Sequence, residues 1–260
     1  MIYVYRILIL IGLFLVGYIF GSIPNGIIIG KIFYKKDPRN YGSHNTGGTN
    51  VGRSFSKVAG AATIVLDALK LMIPYLAAYY LFKYYEPICT LMDSTYNSNE
   101  LVYSWYGFGN SLIQLAIALV PFGAIIGHSS SVFLKFKGGK IVACFVGYML
   151  LSTYLAVPIF IVLFFIVLFK TKYVSLSSII MASSFMIFSW IVYIVFIYTS
   201  SQEIASYLMR FNLTPSISIF FPILSSFGAL LLIYRHKENI KRLKDGTESK
   251  VKWVDQINQK

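Results

Sequence analysis

Acidic residues are scarce in this chain, at 10 Asp and Glu among 260 residues against 23 Lys and Arg, and charged residues make up only 13% of the whole. Soluble domains carry about a quarter of their residues charged, so a fold with a charged shell is excluded. Cysteine is limited to Cys89 and Cys144. They lie in different segments, which excludes a disulfide framework and a cysteine-based metal cluster and leaves free thiols as the expectation. No metal or cofactor is implied. Internal repeats, low-complexity linkers and a polar second domain are also missing, so residues 1–260 read as a single helical membrane domain. What abounds is apolar: 57% of residues are hydrophobic and the mean hydropathy is +0.67, which rules out a disordered chain. The net charge of +13 could suit nucleic acid. Its cations lie between apolar blocks, however, as in membrane proteins whose basic loops face one compartment, and no nucleic-acid partner is expected.

Crossing a hydrocarbon core ~30 Å thick takes about 20 helical residues. Between Arg6 and Lys31 run 24 uncharged residues. That run is long and has no small-residue cleavage site before Lys31, so it reads as a retained first span. Apolar stretches follow at 58–82, interrupted by Asp67 and Lys70, then at 111–127, 141–169, 175–198 and 215–234. The block 141–169 is uncharged for 29 residues. As one helix it would run about 44 Å at ~1.5 Å per residue, long for one crossing and short for two. Loop charge arbitrates. If the block crosses twice, turning near Pro158, 19 of the 23 Lys and Arg share one side, whereas one crossing gives 10 against 12. Two crossings satisfy the positive-inside rule. The expected fold is an all-α polytopic membrane protein with seven transmembrane helices, the N-terminus outside, the C-terminus cytoplasmic and glycine-rich cytoplasmic loops.

Three polar stretches fall on that side. In Tyr41-Gly-Ser-His-Asn-Thr-Gly-Gly-Thr-Asn-Val-Gly-Arg53, Gly42, Gly47, Gly48 and Gly52 permit positive φ, which lets backbone N–H groups converge on an anion. Ser43, Asn45, Thr49 and Asn50 add side-chain donors, and Arg53 offers a planar fork for phosphate. The spacing is not that of a Walker A loop. The second stretch sets Gly138-Gly139 between Lys137 and Lys140, beside His128, and can wrap a phosphate. The third leaves the last span with His236 and Asn239 three apart, on one face if the helix continues. Asp67 and Lys70 lie inside a span, where ionisable groups normally pair or line a cavity, and their spacing allows a mutual ion pair.

Five patterns in order carry a resemblance over nearly the whole chain: Gly21-Ser-Ile-Pro24; Gly42-Ser43 through Arg53; Asp67 with Lys70; Gly127-His128 through Lys140; and His236 through Gly246-Thr-Glu248. The chain resembles the bacterial acyl-phosphate:glycerol-3-phosphate acyltransferases, the PlsY family, which has a seven-span fold. It departs from the family's usual residues at His44, Thr46, Gly48, Ile141 and Cys144, where glycine, proline, alanine, glycine and threonine are common. The resemblance implies transfer of a fatty acyl group from acyl phosphate to the primary hydroxyl of sn-glycerol 3-phosphate. The products would be 1-acylglycerol 3-phosphate and phosphate, the first acylation of phospholipid synthesis. It places Ser43, Arg53, Lys140, His236 and Asn239 in the active site and Asn45, Gly47, Thr49, Asn50, Lys137, Gly138 and Gly139 at the substrate phosphates. Asp67, Lys70 and His128 would support them. It also implies residence in the bacterial cytoplasmic membrane, catalysis on the cytoplasmic side and an upstream enzyme that forms the acyl phosphate.

The residues present suit that chemistry. Acyl phosphate is a mixed anhydride with a good leaving group, so positioning and anion stabilisation can suffice without a covalent intermediate. The His-x4-Asp pattern of thioester-dependent acyltransferases is absent, since Thr49, Phe133 and Lys241 stand five residues after His44, His128 and His236. The rival reading is a transporter for an organic phosphate or other anion, but paired repeats with broken midplane helices are not found in the two halves.

Overall fold

A computed structural model describes residues 1–92, 111–153, 156–199 and 218–251, and every regular element among them is helical. The expected outer loops carrying Asn97 and Arg210, and the tail cations Lys252 and Lys260, lie outside the described residues.

The expected first span is broken in two, α1 (Ile2–Ser22) and α2 (Asn25–Tyr34). Pro24 lacks an N–H and disfavours helical backbone at the residue before it, so Ile23 turns to ψ 119° and ends α1. A short helix α3 (Gly48–Ser54) leads into the long α4 (Lys57–Tyr84), whose start is capped where Ser56 Oγ accepts the Ala59 N–H at 3.1 Å. Then come α5 (Glu86–Met92) and α6 (Ser111–Ser129). The uncharged block from 141 to 169 forms two helices, α7 (Val142–Thr153) and α8 (Val157–Thr171), with Pro158 in the first turn of α8, where its missing N–H costs nothing. The chain closes with α9 (Val174–Thr199), α10 (Phe220–Arg235) and α11 (Lys237–Lys244).

Four helical stretches are long and apolar enough to cross a membrane, namely Ile2–Tyr34, Lys57–Tyr84, Leu112–Leu134 and Val174–Val195, and α7, α8 and α10 are shorter apolar helices. Their outer faces suit lipid: Ile7, Leu8, Ile11, Leu15 and Ile19 are exposed along α1. The most extensive packing is α1 on α6. A Cβ at Gly17 or Gly21 would run into the α6 backbone at Val120 or Ala124, and one at Gly123 or Gly127 into the α1 backbone at Phe14 or Tyr18. Two small-xxx-small seams thus bring the helix axes together, which is how helices associate where water supplies no driving force. The core between α7, α8 and α9 is aromatic, with Phe185 edge-on to Phe145 and Phe160.

Candidate active site

The break at Ile23–Pro24 has a partner in α4. Lys70 Nζ donates to the freed carbonyl of Ile23 at 2.8 Å and pairs with Asp67 Oδ1 at 2.9 Å, while Asn25 Nδ2 donates to the same carboxylate at 3.0 Å. The expected ion pair is present, and it ties α4 to the α1–α2 junction. His128 Nδ1 lies 4.0 Å from Asp67 and has no hydrogen-bond partner among the described residues.

The first polar loop is built around one side chain. Asn50 is buried; its oxygen accepts the Ser43 N–H at 2.8 Å, and its nitrogen donates to the carbonyls of Pro38, Tyr41 and Asn45 at 2.8, 3.1 and 2.8 Å. Asn45 in turn accepts the Gly47 N–H at 3.2 Å. The whole amide of Asn50 and the amide oxygen of Asn45 are therefore spent on the loop itself. Of the four glycines expected to supply positive φ, Gly42 alone does so, at 58°. A Cβ at Gly48 would crowd Gly60 O at 2.6 Å, and one at Gly60 would meet Gly52 Cα at 2.7 Å, so Gly48 and Gly60 let α3 close on α4. Ser43, Thr49 and Arg53 stay exposed, and the hydroxyls of Ser43 and Thr49 and the guanidinium of Arg53 have no hydrogen-bond partner among the described residues.

In the second loop neither Gly138 nor Gly139 has positive φ. A Cβ at Gly138 would strike the backbone of His128 and Ser129, and one at Gly139 the His128 ring; the Gly139 N–H donates to His128 O at 2.9 Å. The expected flexible phosphate wrap is instead a backbone pressed onto α6. On its other side Arg235 donates from Nε to Gly139 O at 3.1 Å and from Nη2 to Gly138 O at 2.7 Å. Ile141, where the resembled family commonly has glycine, is fully buried at φ 71°, a strained setting for a β-branched residue. Lys137 is exposed and Lys140 half-buried, neither with a hydrogen bond among the described residues.

The third stretch does not continue one helix. α10 ends at Arg235 and α11 begins at Lys237, yet His236 and Asn239 are both buried. His236 Nδ1 lies 2.8 Å from Leu232 O, an acceptor that places the proton on Nδ1 and leaves the Nε2 lone pair available. Burial, together with the charge of Lys140, pushes the imidazole down to about 4 despite that bond, so it is neutral at pH 7. Asn239 Nδ2 donates to Glu248 Oε1 at 2.6 Å, Ser175 Oγ donates to the same oxygen at 2.7 Å, and Arg242 Nε reaches Oε2 at 2.8 Å. Burial raises the Glu248 pKa, but these three donors together hold it below the usual range.

Electrostatics shows which residues converge. Lys140 is pushed down to about 8, first by burial and then by Arg242, Arg53 and Arg235, with Glu248 opposing them, and His236 lies in the field of Lys140. Lys140 from the second loop thus lies within electrostatic reach of Arg53 from the first and of His236 from the third. Glu248 and Arg235 occupy structural positions beside it that residue type alone did not single out, although both fall within the polar stretch that follows the last apolar run.

The family described as glycerol-3-phosphate acyltransferase matches residues 11–246. The chain is 35% identical over 240 residues to the glycerol-3-phosphate acyltransferase of Staphylococcus carnosus, covering 92% of this chain and 96% of that one. It is 34% identical over 245 residues to that of Listeria monocytogenes, covering 94% and 98%. The crystal structure of PlsY (YgiH), an integral membrane glycerol 3-phosphate acyltransferase, in its glycerol 3-phosphate form shares the fold at TM-score 0.67 and 24% identity, with 95% of this chain and 98% of that one covered. The lysophosphatidic acid form of the same protein gives 0.64, with 93% and 94% covered.

Proposed function

The chain belongs to the glycerol-3-phosphate acyltransferase family, and from that premise we propose both its acyl donor and the division of labour among its residues. It is a multi-pass membrane acyltransferase. The donor is acyl phosphate. The primary hydroxyl oxygen of glycerol 3-phosphate forms a bond to the acyl carbonyl carbon as the carbon–oxygen bond to phosphate breaks, giving 1-acylglycerol 3-phosphate and inorganic phosphate.

The observation that carries this reading is a pair of cations, Arg53 and Lys140, within reach of each other, with His236 in the field of Lys140. Arg53 and Lys140 make no ion pair among the described residues and lie in one field, as suits a site that holds two phosphorylated substrates. Arg53 grips one phosphate by its fork, Lys140 and Lys137 neutralise charge on the other, and the Ser43 and Thr49 hydroxyls complete the contacts. His236 accepts a hydrogen bond from the attacking hydroxyl at Nε2 and aligns it. An imidazole pushed to about 4 is a weak base, so the proton passes on to a phosphate oxygen, whose second pKa is near 6. Asn239, locked to Glu248, holds the wall beside His236.

Loop charge supports seven spans with these loops on the cytoplasmic side of a bacterial cytoplasmic membrane, supplied with acyl phosphate by an upstream enzyme. The test is conversion of labelled glycerol 3-phosphate into organic-soluble lipid by the purified protein. Acyl phosphate should support it and acyl-CoA should not; equal conversion with acyl-CoA would overturn the choice of donor.

A further inference from the structure

We infer that Arg235 is a positioning residue for the acyl transfer, a splint that sets Lys140 in register with His236. The inference rests on the site reading above, and it concerns a side chain whose hydrogen bonds go to backbone carbonyls of the loop that carries Lys140.

Lys140 follows two glycines whose backbone has to be held if its ammonium is to lie at a fixed place. One side of that backbone is fixed by α6, where the Gly139 N–H donates to His128 O at 2.9 Å and neither glycine leaves room for a Cβ. The other side presents two successive carbonyls, and Arg235 engages both, Gly138 O at 2.7 Å and Gly139 O at 3.1 Å. The arginine is the last residue of α10, and the next residue in the chain is His236. A single side chain therefore joins the loop of the candidate phosphate-binding lysine to the turn that carries the candidate hydroxyl-aligning imidazole.

Repulsion from Lys140 weighs against a cation here. The charge of Arg235 opposes the charge of Lys140. The pair of carbonyls does give a reason: a planar fork spans two acceptors at once, whereas an ammonium is a point charge that cannot present two donors in that fixed geometry. Breaking the fork would free the 138–140 backbone on one side only, so the fold survives on its α6 contact while Lys140 drifts from its place. In a site that works by positioning, a shift of about 1 Å can cost roughly a hundred-fold in rate.

The test is a double-mutant cycle on the purified full-length protein, read as kcat/KM for glycerol 3-phosphate with acyl phosphate as donor and with thermal unfolding in detergent as the control for folding. Arg235→Gln should lower kcat/KM about ten-fold or more in the native background and less than about three-fold in a Lys140→Ala background, because two residues acting as a unit do not add. Arg235→Lys, the milder change, should follow the same pattern and serves if the glutamine variant does not fold. Equal losses in the two backgrounds would reduce Arg235 to a general stabiliser and overturn the inference while leaving the site reading intact. An unimpaired Lys140→Ala enzyme would overturn the site assignment and the inference together.

Discussion

Asn50 holds Ser43 from inside the first loop, with its side-chain oxygen 2.8 Å from the Ser43 backbone nitrogen. The amide nitrogen of the same residue faces the carbonyls of Pro38, Tyr41 and Asn45. Asn50→Asp would turn a donor into a carboxylate oxygen against three carbonyls, and each buried group left unsatisfied costs about 1–3 kcal/mol. The variant should lose activity toward both substrates together with a lowered unfolding temperature in detergent. Normal stability with a raised KM for one substrate alone would make Asn50 a ligand contact instead.

Arg53, three residues on, is exposed and unpaired among the described residues. Lysine keeps its charge and loses the fork, so Arg53→Lys should lower catalytic efficiency about ten-fold to a hundred-fold without changing stability. Lys135→Arg, at an exposed interfacial lysine, is the control and should be neutral. Full efficiency in Arg53→Lys would remove Arg53 from the phosphate site.

The pH profile should separate Lys140 from His236. With Lys140 pushed down to about 8, mainly by burial, its ammonium is present below that pH and lost above it. Efficiency should therefore fall as pH rises through about 8, and Lys140→Arg should remove that limb, since guanidinium stays charged. Stability has the opposite sign. The folded state binds the proton less tightly than the unfolded chain, so the burial cost stands in full below about 8 and is relieved as pH rises toward the ordinary 10.5. His236, already neutral above about 4, should contribute no limb between about pH 5 and 7.

Topology can be read with single cysteines in a Cys-free background. Cysteines placed at Ser43, Lys137 and Asp245 should be protected from an impermeant reagent in intact cells, and one at Asn97 should react. Labelling at Asp245 from outside would mean that the block from 141 to 169 crosses once.

The sequence made the helical membrane class legible because apolar runs and loop charge are properties of composition. The division of residues 141 to 169 was legible for the same reason, since a block of intermediate length had to resolve one way or the other and Pro158 marked the place. The Asp67–Lys70 pair followed from helical spacing. The direction in which a loop side chain points was not legible. Asn50 and Arg53 are both polar and three residues apart, yet one is the buried hub of the loop and the other is exposed, and that difference is decided by the closure of α3 on α4 across Gly48, Gly52 and Gly60. The glycines misled for a related reason: close approach, more than positive φ, explains Gly48, Gly138 and Gly139. Arg235 resembled any cation at a helix end until its two carbonyl partners, nearly one hundred residues away in the chain, were in place.

The central claim is direct transfer between two bound substrates, with Ser43 as a contact and not as an acyl carrier. Rapid-mix measurement of phosphate release tests it most directly. Acyl phosphate alone should give no burst, and release should begin when glycerol 3-phosphate is added. A burst of about one phosphate per enzyme with acyl phosphate alone, leaving acyl groups on the protein, would contradict the account.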